Sequence, residues 1–246
     1  MAAENTKKRI ANCFISLVET TPPNQRVSVS TLVDALEIDR KTFYNHFEDI
    51  NDLIRWIFRS SLQKMLEDKH FSPFCKVYPD PKLRDKYTLM PFYVRIIGTN
   101  RALHQGAYYK AFGYMLQNQR EFYRRIFMSP FYQSLFDYMI NLYVPALYDD
   151  LVWLLDGRKL PEAVMQFIAE YHTLGIFGRV SFRYTKTNQF MLQDDLEPFW
   201  NYAHIIMKLT LESYFDDPNN LNIFLNERAH YCNFQFKNQR PEIDKT

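Results

Sequence analysis

Residues 27–53, which read VSVSTLVDALEIDRKTFYNHFEDINDL, contain two short apolar patterns separated by a tight break. In the first pattern Leu32, Val33 and Leu36 lie on one face of a short helix. Residues 37–39 interrupt that pattern before a second helical pattern begins. We therefore expect a helix, a turn and a second helix to follow one another within this stretch.

Side chains that cap helix starts stand at both expected boundaries. Ser28 or Ser30 can accept a hydrogen bond from a backbone N–H at the start of the first helix. Asp39 can do the same for the second helix, which we expect over residues 40–47, and its negative charge suits a helix N-terminus. The caps support the boundaries that the apolar pattern predicts.

The second helix has an apolar side and a polar side. Phe43 and Phe47 are four residues apart and share a face, whereas Lys41 and Asn45 point roughly the opposite way. A lysine can donate to guanine O6 and N7, and an asparagine can pair with adenine through two hydrogen bonds. Two interpretations stay open at this point: a helix that docks in a DNA major groove, or an ordinary amphipathic helix with a solvated face.

The same stretch resembles the helix-turn-helix of the TetR/AcrR family of transcriptional regulators. The run TFYNHF at residues 42–47 is similar to the T-[LF]-Y-x-H-F signature of that family. A first helix over residues 7–19, preceded by a frayed tail over residues 1–6, and a connector helix over about 49–67 match the family's order of elements. The resemblance is specific over about residues 7–66 and only architectural beyond them.

The resemblance implies that the chain binds double-stranded DNA at a palindromic operator as a homodimer. Both bases and phosphates would be contacted from the helix-turn-helix. The residues expected to contact bases are Lys41, Asn45, Ser30 and Arg40, and those expected to contact phosphates are Thr42, Tyr44 and His46.

Two residues depart from the family pattern. Glu37 occupies the turn position where the family usually has glycine, and a left-handed backbone at such a residue costs about 1–2 kcal/mol, so we expect this turn to be built differently. Ile50 occupies a position where the family often has a lysine that contacts phosphate. Residues 1–47 carry six cationic and five anionic side chains, so any DNA affinity must come from positioning rather than from bulk charge.

The composition predicts an all-α globular protein with a substantial core. Hydrophobic residues make up 47% of the chain, charged residues make up 24%, and only 6 glycines occur. We expect a three-helix helix-turn-helix domain with its connector helix over residues 1–70 and a helical regulatory and dimerisation domain over residues 71–246. The proline-bearing segment 70–86 reads as the linker between them.

In the second domain, aromatic side chains either pack the core or line a cavity for an unknown small-molecule effector. The candidate cavity residues are Tyr108, Phe112, Phe127 and Tyr138. The helices are expected near residues 90–98, 102–116, 119–127, 130–147, 161–184, 196–214 and 221–230.

Helices 161–184 and 196–214 are the candidates for a dimer interface, by analogy with the family. Gly175 and Gly178 each cost a helix about 1 kcal/mol, so we expect another helix to approach their backbone closely, either from the same chain or from a second copy. The predicted interface residues are Phe167, Tyr171, Leu174, Gly175, Gly178, Phe199, Ala203 and Ile206.

The sequence carries no pattern typical of catalysis, nucleotide binding or a metal centre. His230 and Cys232 are two residues apart but lack further spaced ligands. An odd number of cysteines, Cys13, Cys75 and Cys232, fits free thiols, with Cys13 on the buried face of its helix. Without a signal peptide or an apolar run of membrane length, we expect a cytoplasmic, non-enzymatic protein that uses no cofactor or metal and does not bind membranes.

Two functions are compatible with these features. The first is a DNA-binding regulator, expected to be a repressor, whose operator binding changes when an effector occupies the second domain. The second is a relative that keeps the fold but works through a protein partner. The near-neutral head and Ile50 favour the second, and the head also resembles a branch of the family that includes dihydroxyacetone-kinase regulators, where coactivators occur.

Overall fold

The computed structural model describes residues 2–216, with gaps at residues 23–24, 69, 84, 99–101 and 188–190. The fold class is all-α, as predicted, with one short antiparallel sheet between the fourth and fifth helices. The helices are α1 Ala2–Thr20, α2 Val29–Leu36, α3 Arg40–Tyr44, α4 Ile50–Leu66, α5 Gly106–Asn118, α6 Arg120–Phe127, α7 Tyr132–Leu155, α8 Glu162–Lys186 and α9 Leu192–Asp216, and the strands are β1 Cys75–Val77 and β2 Tyr93–Arg95.

The first three helices form a small unit that packs on the start of α4. Helix α1 begins at Ala2, so the prediction of a frayed tail over residues 1–6 is wrong for residues 2–6. Phe14 of α1 is buried, and its ring meets that of Phe122 on α6 edge-on at 6.1 Å. Asp49 caps α4 by accepting a hydrogen bond from the Asp52 amide at 2.7 Å. The connector helix therefore starts where the sequence predicted.

The segment between α4 and α5 was predicted to be a linker followed by a helix near residues 90–98, and the helix is wrong. Strand β1 pairs with β2 in antiparallel register, with Lys76 opposite Val94, and a 3₁₀ turn covers Pro81–Leu83. Val94 and its aromatic and β-branched neighbours suit a pleated strand better than a helix. The linker prediction missed β1 because three residues are too few to show the alternation of buried and exposed side chains that marks a strand.

The body is built from α5 to α9, with α5 against α9 and α7 against α8. Gly113 of α5 fits closely against α9, since a Cβ there would lie 2.7 Å from the carbonyl carbon of Leu192. Helix α7 continues through Pro145 to Leu155, well beyond the predicted end at residue 147. The rings of Tyr109 and Trp200 stack at 4.7 Å, which joins the centres of α5 and α9.

The remaining predictions concern membrane-spanning helices, metal sites and cysteines. Within the described residues, no helix combines the length and apolar character needed to cross a membrane, and no cluster of His, Cys, Asp or Glu is arranged to hold a metal ion. Cys13 and Cys75 are free thiols, and Cys13 is half-buried rather than buried. The predicted helix at 221–230, with His230 and Cys232, lies outside the described residues.

Candidate nucleic-acid interface

The turn between α2 and α3 has the left-handed backbone that the sequence argued against. Glu37 has φ 53° and ψ 42°. Its amide donates to the Asp34 carbonyl at 3.2 Å, and the Ile38 amide donates to the Val33 carbonyl at 3.1 Å. This pair of bonds is the usual way to end a helix on a left-handed residue. The expectation of a different turn is therefore wrong: the glycine is missing but its conformation is kept.

Helix α2 begins at a cap formed by Ser28 and not by Ser30. The Ser28 hydroxyl accepts a hydrogen bond from the Thr31 amide at 3.1 Å. Ser30 is left free for another role, and its hydroxyl accepts a 2.5 Å hydrogen bond from Nη2 of Arg40. This bond joins the first turn of α2 to the first residue of α3, which brings two predicted DNA-contacting residues together.

Helix α3 is short and is capped at its start. Asp39 accepts a hydrogen bond from the Thr42 amide at 2.6 Å, and that bond is the main cause of the lowered pKa of this exposed carboxyl. The regular helix ends at Tyr44 rather than at residue 47. The Asn45 amide still donates a hydrogen bond to the Lys41 carbonyl at 2.9 Å, so Asn45 lies one helical turn beyond Lys41.

Two phenylalanines anchor α3 to the protein, as predicted. Phe43 and Phe47 are buried, with ring centroids 5.9 Å apart. Phe47 also meets the ring of Trp56 on α4 edge-on at 5.8 Å. Helix α4 therefore supplies part of the anchor that holds α3.

The predicted DNA-contacting residues all reach the surface of this unit. Tyr44 is 55% exposed, although one edge of its ring packs on Phe43 at 5.3 Å. The burial pattern leaves ammonium, guanidinium, amide and phenol groups open to solvent on α3. The exposed members of the predicted set are Arg40, Lys41, Tyr44 and Asn45, and the half-buried members are Ser30, Thr42 and His46.

The positive charge around α3 is limited. Ile50 is buried, so no cation occupies the position where the family often has a lysine. The Lys7 ammonium lies 6.0 Å from the ring centre of Phe47, and Lys8 is paired with Glu4 at 3.9 Å. Lys7 belongs to the run Lys7, Lys8 and Arg9 at the start of the first helix, for which the sequence leaves two interpretations open, a solvated helix start or contact with DNA phosphates.

The four residues predicted to line an effector cavity lie in separate places. Tyr108 and Phe112 are buried in the aromatic core with ring centroids 6.1 Å apart. Phe127 stacks on Tyr184 at 5.1 Å. Tyr138 borders a polar cleft of about 760 Å³ beside α4. The structure therefore does not gather the four residues around one space.

The residues predicted for a dimer interface form an exposed apolar face on α8. Phe167, Tyr171 and Leu174 are 45%, 62% and 47% exposed. A Cβ at Gly178 would meet nothing within 4 Å, and one at Gly175 would meet only Phe199 at 3.9 Å. No helix of the described chain closely approaches either glycine.

Helix α9 contributes to the same region of the surface. Of the predicted residues, Phe199 and Ile206 are half-buried, while Ala203 is buried within the chain. Four large apolar side chains were missed, although they repeat at helical spacing with the predicted ones. They are Phe182 on α8 and Tyr202, Ile205 and Leu209 on α9, all about half exposed or more.

Comparison with known proteins gives similarities in sequence and in fold, and no protein-family model matches the chain. Over 63 residues the chain is 35% identical to the HTH-type dhaKLM operon transcriptional activator DhaS of Lactococcus lactis subsp. lactis (strain IL1403). That match covers 26% of this chain and 33% of the relative, so the chain spans about a third of the curated relative's length.

The second similarity concerns the fold. The solved structure of a dihydroxyacetone kinase operon activator DhaS aligns with a TM-score of 0.52 and 18% identity, over 83% of this chain and 97% of that chain. At this identity the likeness establishes a shared all-α architecture. Both similar proteins are named as operon activators.

Proposed function

We propose that this chain is a cytoplasmic, non-enzymatic transcription regulator that binds double-stranded DNA as a homodimer, in the manner of the TetR/AcrR family. The observation that supports this most is the form of α3. Phe43 and Phe47 hold it from behind, and Lys41 and Asn45 are exposed on its outer side. Both similar proteins are named as operon activators, which favours regulation over catalysis.

In this proposal the outer side of α3 enters a major groove. Lys41 donates to guanine and Asn45 pairs with adenine, because these side chains match the edges of those bases. The guanidinium of Arg40, which bonds to the Ser30 hydroxyl, adds a further base contact. Thr42, Tyr44 and His46 bond to phosphates, which fix the register of the helix on the duplex.

The DNA-binding proposal is tested by selection of sequences from a random duplex library with the purified protein, followed by gel shifts at low and moderate salt. We expect an enriched palindrome whose half-sites are about 34–36 Å apart, since two copies of α3 must reach successive major grooves. Loss of affinity with salt should be modest, because few cations are present. Failure to enrich any sequence at either salt would contradict the proposal.

The dimer is proposed to form through the apolar face of α8 and α9. Phe167, Tyr171 and Leu174 leave a large apolar area in water, and such patches mark interaction surfaces. Gly175 and Gly178 cost helix stability without any close neighbour in the described chain. A second copy that packs its own α8 and α9 here would account for both features and would form a four-helix contact about a two-fold axis.

A substitution at Gly178 tests the dimer. Gly178→Arg should make the chain monomeric, because a long charged side chain would stand in the contact, and it should not harm the isolated helix, since Gly is about 1 kcal/mol worse than Arg there. Light scattering coupled to size-exclusion chromatography measures the change. The matched control is Gly113→Ala, which should lower stability without changing the oligomeric state, because its neighbour Leu192 belongs to the same chain. A monomeric parent or a dimeric Gly178→Arg would contradict this interface.

A second candidate function is action through a protein partner. The buried Ile50 and the near-neutral helix-turn-helix favour it. In that case the protein would be a folded dimer that retards no duplex at any salt. The same gel shifts therefore separate the two candidates.

We further propose that an effector changes DNA binding by altering the separation of the two α3 helices. The sequence led us to expect repression, whereas the two similar proteins are named as activators. A reporter gene placed behind the selected operator distinguishes repression from activation. Expression that falls when the protein is supplied indicates a repressor, and expression that rises indicates an activator.

A further inference from the structure

A polar cleft separates the α3–α4 end of the molecule from α7. Its volume of about 760 Å³ lies in the range of pockets that hold small molecules. One wall is formed by Arg26 and by side chains within residues 48–55, and the other by side chains within residues 83–87 and 130–142. By contrast, the space in the aromatic core beside Tyr109 has no room for a water molecule.

We propose that this cleft is the effector site and that its ligand is a neutral, polyhydroxylated small molecule. The inference rests on the proposed regulatory function, but its chemistry is argued from the walls alone. None of the groups that form these walls belongs to the predicted effector set except Tyr138.

The α7 wall offers hydrogen-bonding groups along one face. Gln133, Asp137 and Asn141 are spaced four residues apart, so they share a side of the helix, and all three are exposed. The Gln133 amide donates to the Asp137 carboxylate at 2.6 Å. Amides donate and accept, and a carboxylate accepts. Hydroxyl groups, which do both, complement such a face.

The charged groups deepest in the cleft are already paired within the protein. Asp52 accepts hydrogen bonds from the Lys86 ammonium at 2.6 Å and from the Tyr87 hydroxyl at 2.5 Å. Asp85 accepts a bond from Arg59 at 2.7 Å. The two carboxylates are 5% and 3% exposed. An ionic ligand would have to compete with these pairs, and loss of a buried partner is costly.

The remaining charges of the cleft cancel. Beyond the pairs of Asp52 with Lys86 and of Asp85 with Arg59, Arg26 and Arg55 contribute two cations, while Asp137 and Glu48, which shares the Lys86 ammonium, contribute two anions. Arg26 already stacks on the Phe131 ring at 4.8 Å. With no net charge to offer, the cleft selects a neutral ligand over an anion or a cation.

The cleft also contains the contacts that join α4 to the body. Nη2 of Arg55 donates to the Ser134 hydroxyl of α7 at 3.0 Å, and Lys86 bridges to both Glu48 and Asp52. A ligand that touches both walls binds best at one separation of α4 from α7. Because α4 supports α3 through Trp56, ligand and DNA must alter each other's affinity by the same factor.

Calorimetric titration of the purified full chain tests the site without any DNA. Sorbitol is the neutral probe and inorganic phosphate the anionic one. We expect saturable binding of sorbitol and none of phosphate. Asn141→Leu and Asp137→Leu should each weaken sorbitol binding by about tenfold, the loss expected for one good hydrogen bond. Asn118→Leu, at an exposed position at the end of α5 and outside the cleft, is the control and should bind like the parent.

The possible results separate this proposal from the regulatory one. No saturable binding of sorbitol, preferential binding of phosphate, or equal binding by parent and both cleft variants would overturn the cleft assignment. If the protein retards DNA but does not bind sorbitol, the effector-site proposal is wrong and the regulatory proposal stands. If the protein binds sorbitol but retards no DNA, the ligand-site proposal stands and the DNA-binding proposal is wrong. Circular dichroism of each variant checks whether these surface changes leave the fold intact.

Discussion

At the scale of single residues, Asn45 carries the sharpest expectation. Its side chain is exposed, and its backbone amide is held by the Lys41 carbonyl at 2.9 Å, so the side chain can be removed without loss of the fold. Asn45→Ala should weaken binding to the selected operator by about 1–3 kcal/mol and relax the preference at one base pair. Fluorescence anisotropy measures the affinity, with Asn118→Ala as the control. Equal operator affinity in parent and variant would remove Asn45 from the base-reading set.

Glu37 is the residue where the sequence argument and the structure disagree most directly. Its left-handed backbone costs about 1–2 kcal/mol at a residue with a side chain. Glu37→Gly should therefore raise the free energy of unfolding by about 1 kcal/mol, after the greater flexibility of glycine in the unfolded chain is subtracted. Urea denaturation checks this, with Glu37→Ala as a control that should bring no such gain. If the glycine variant is no more stable than the alanine variant, the left-handed backbone at Glu37 is not strained.

Residue-level prediction succeeded where the signal was local. The burial of Phe43 and Phe47 and the cap at Asp39 follow from spacing and from side-chain chemistry over a few positions. The hydrogen bond between Ser30 and Arg40 could not be foreseen, because it depends on how α2 and α3 cross. Side chains that interact across elements require a geometry that one-dimensional spacing does not contain.

At the scale of elements, α4 is fixed to the segment before β2 by a buried ion pair. Arg59 is fully buried, and its guanidinium bonds to Asp85 at 2.7 Å, to the Tyr138 hydroxyl at 2.9 Å and to the Tyr87 carbonyl at 3.1 Å. This segment therefore acts as a brace on the connector helix. The sequence of this segment is typical of a linker, because Asp85 is far from Arg59 in the chain and no local pattern predicts their contact.

Removal of one partner from this ion pair tests the brace. Asp85→Asn should lower the free energy of unfolding by about 3–5 kcal/mol, because it leaves the Arg59 charge buried and unbalanced. The double variant Arg59→Met with Asp85→Leu should lose less. As a control, Glu121→Gln breaks solvent-accessible pairs with Arg124 and Arg125 and should cost less than about 1 kcal/mol, because such pairs are screened by water. Urea denaturation gives all three values, and similar losses for Asp85→Asn and Glu121→Gln would argue against a brace.

Prediction of the elements failed where pairing is non-local. The sheet joins Cys75 to Arg95 and Val77 to Tyr93, and each strand alone is too short to show a period of two. The stretch from Tyr93 to Ile97 could have indicated a strand, since apart from Arg95 it consists of aromatic and β-branched residues. The long helices α8 and α9 were predicted closely, because a period of 3.6 over many residues is a strong signal.

At the scale of the whole molecule, acid should destabilise the protein through His172. Burial and the nearby His204 lower the pKa of His172 to about 4, whereas an unfolded histidine titrates near 6.5. Between about pH 6.5 and about pH 4 the unfolded chain binds a proton that the folded chain does not. The free energy of unfolding therefore decreases as the pH falls through this range.

The variant His172→Gln should flatten this dependence. From about pH 7 to about pH 5 the parent should lose about 1–2 kcal/mol on account of this group, and the variant should lose correspondingly less. Urea denaturation at fixed protein concentration measures both slopes, because the stability of a dimer varies with concentration. Parallel slopes for parent and variant would show that His172 is not responsible.

The close fit of Gly113 against Leu192 has a consequence for synthesis of the protein. Helix α5 leaves the ribosome before α6, α7 and α8, yet the atoms nearest to Gly113 belong to the start of α9. Until α9 has been translated, the face of the Tyr109 ring that stacks on Trp200 has no cover from that helix. A stalled or truncated polypeptide that lacks α9 would therefore present an aromatic surface to chaperones and proteases.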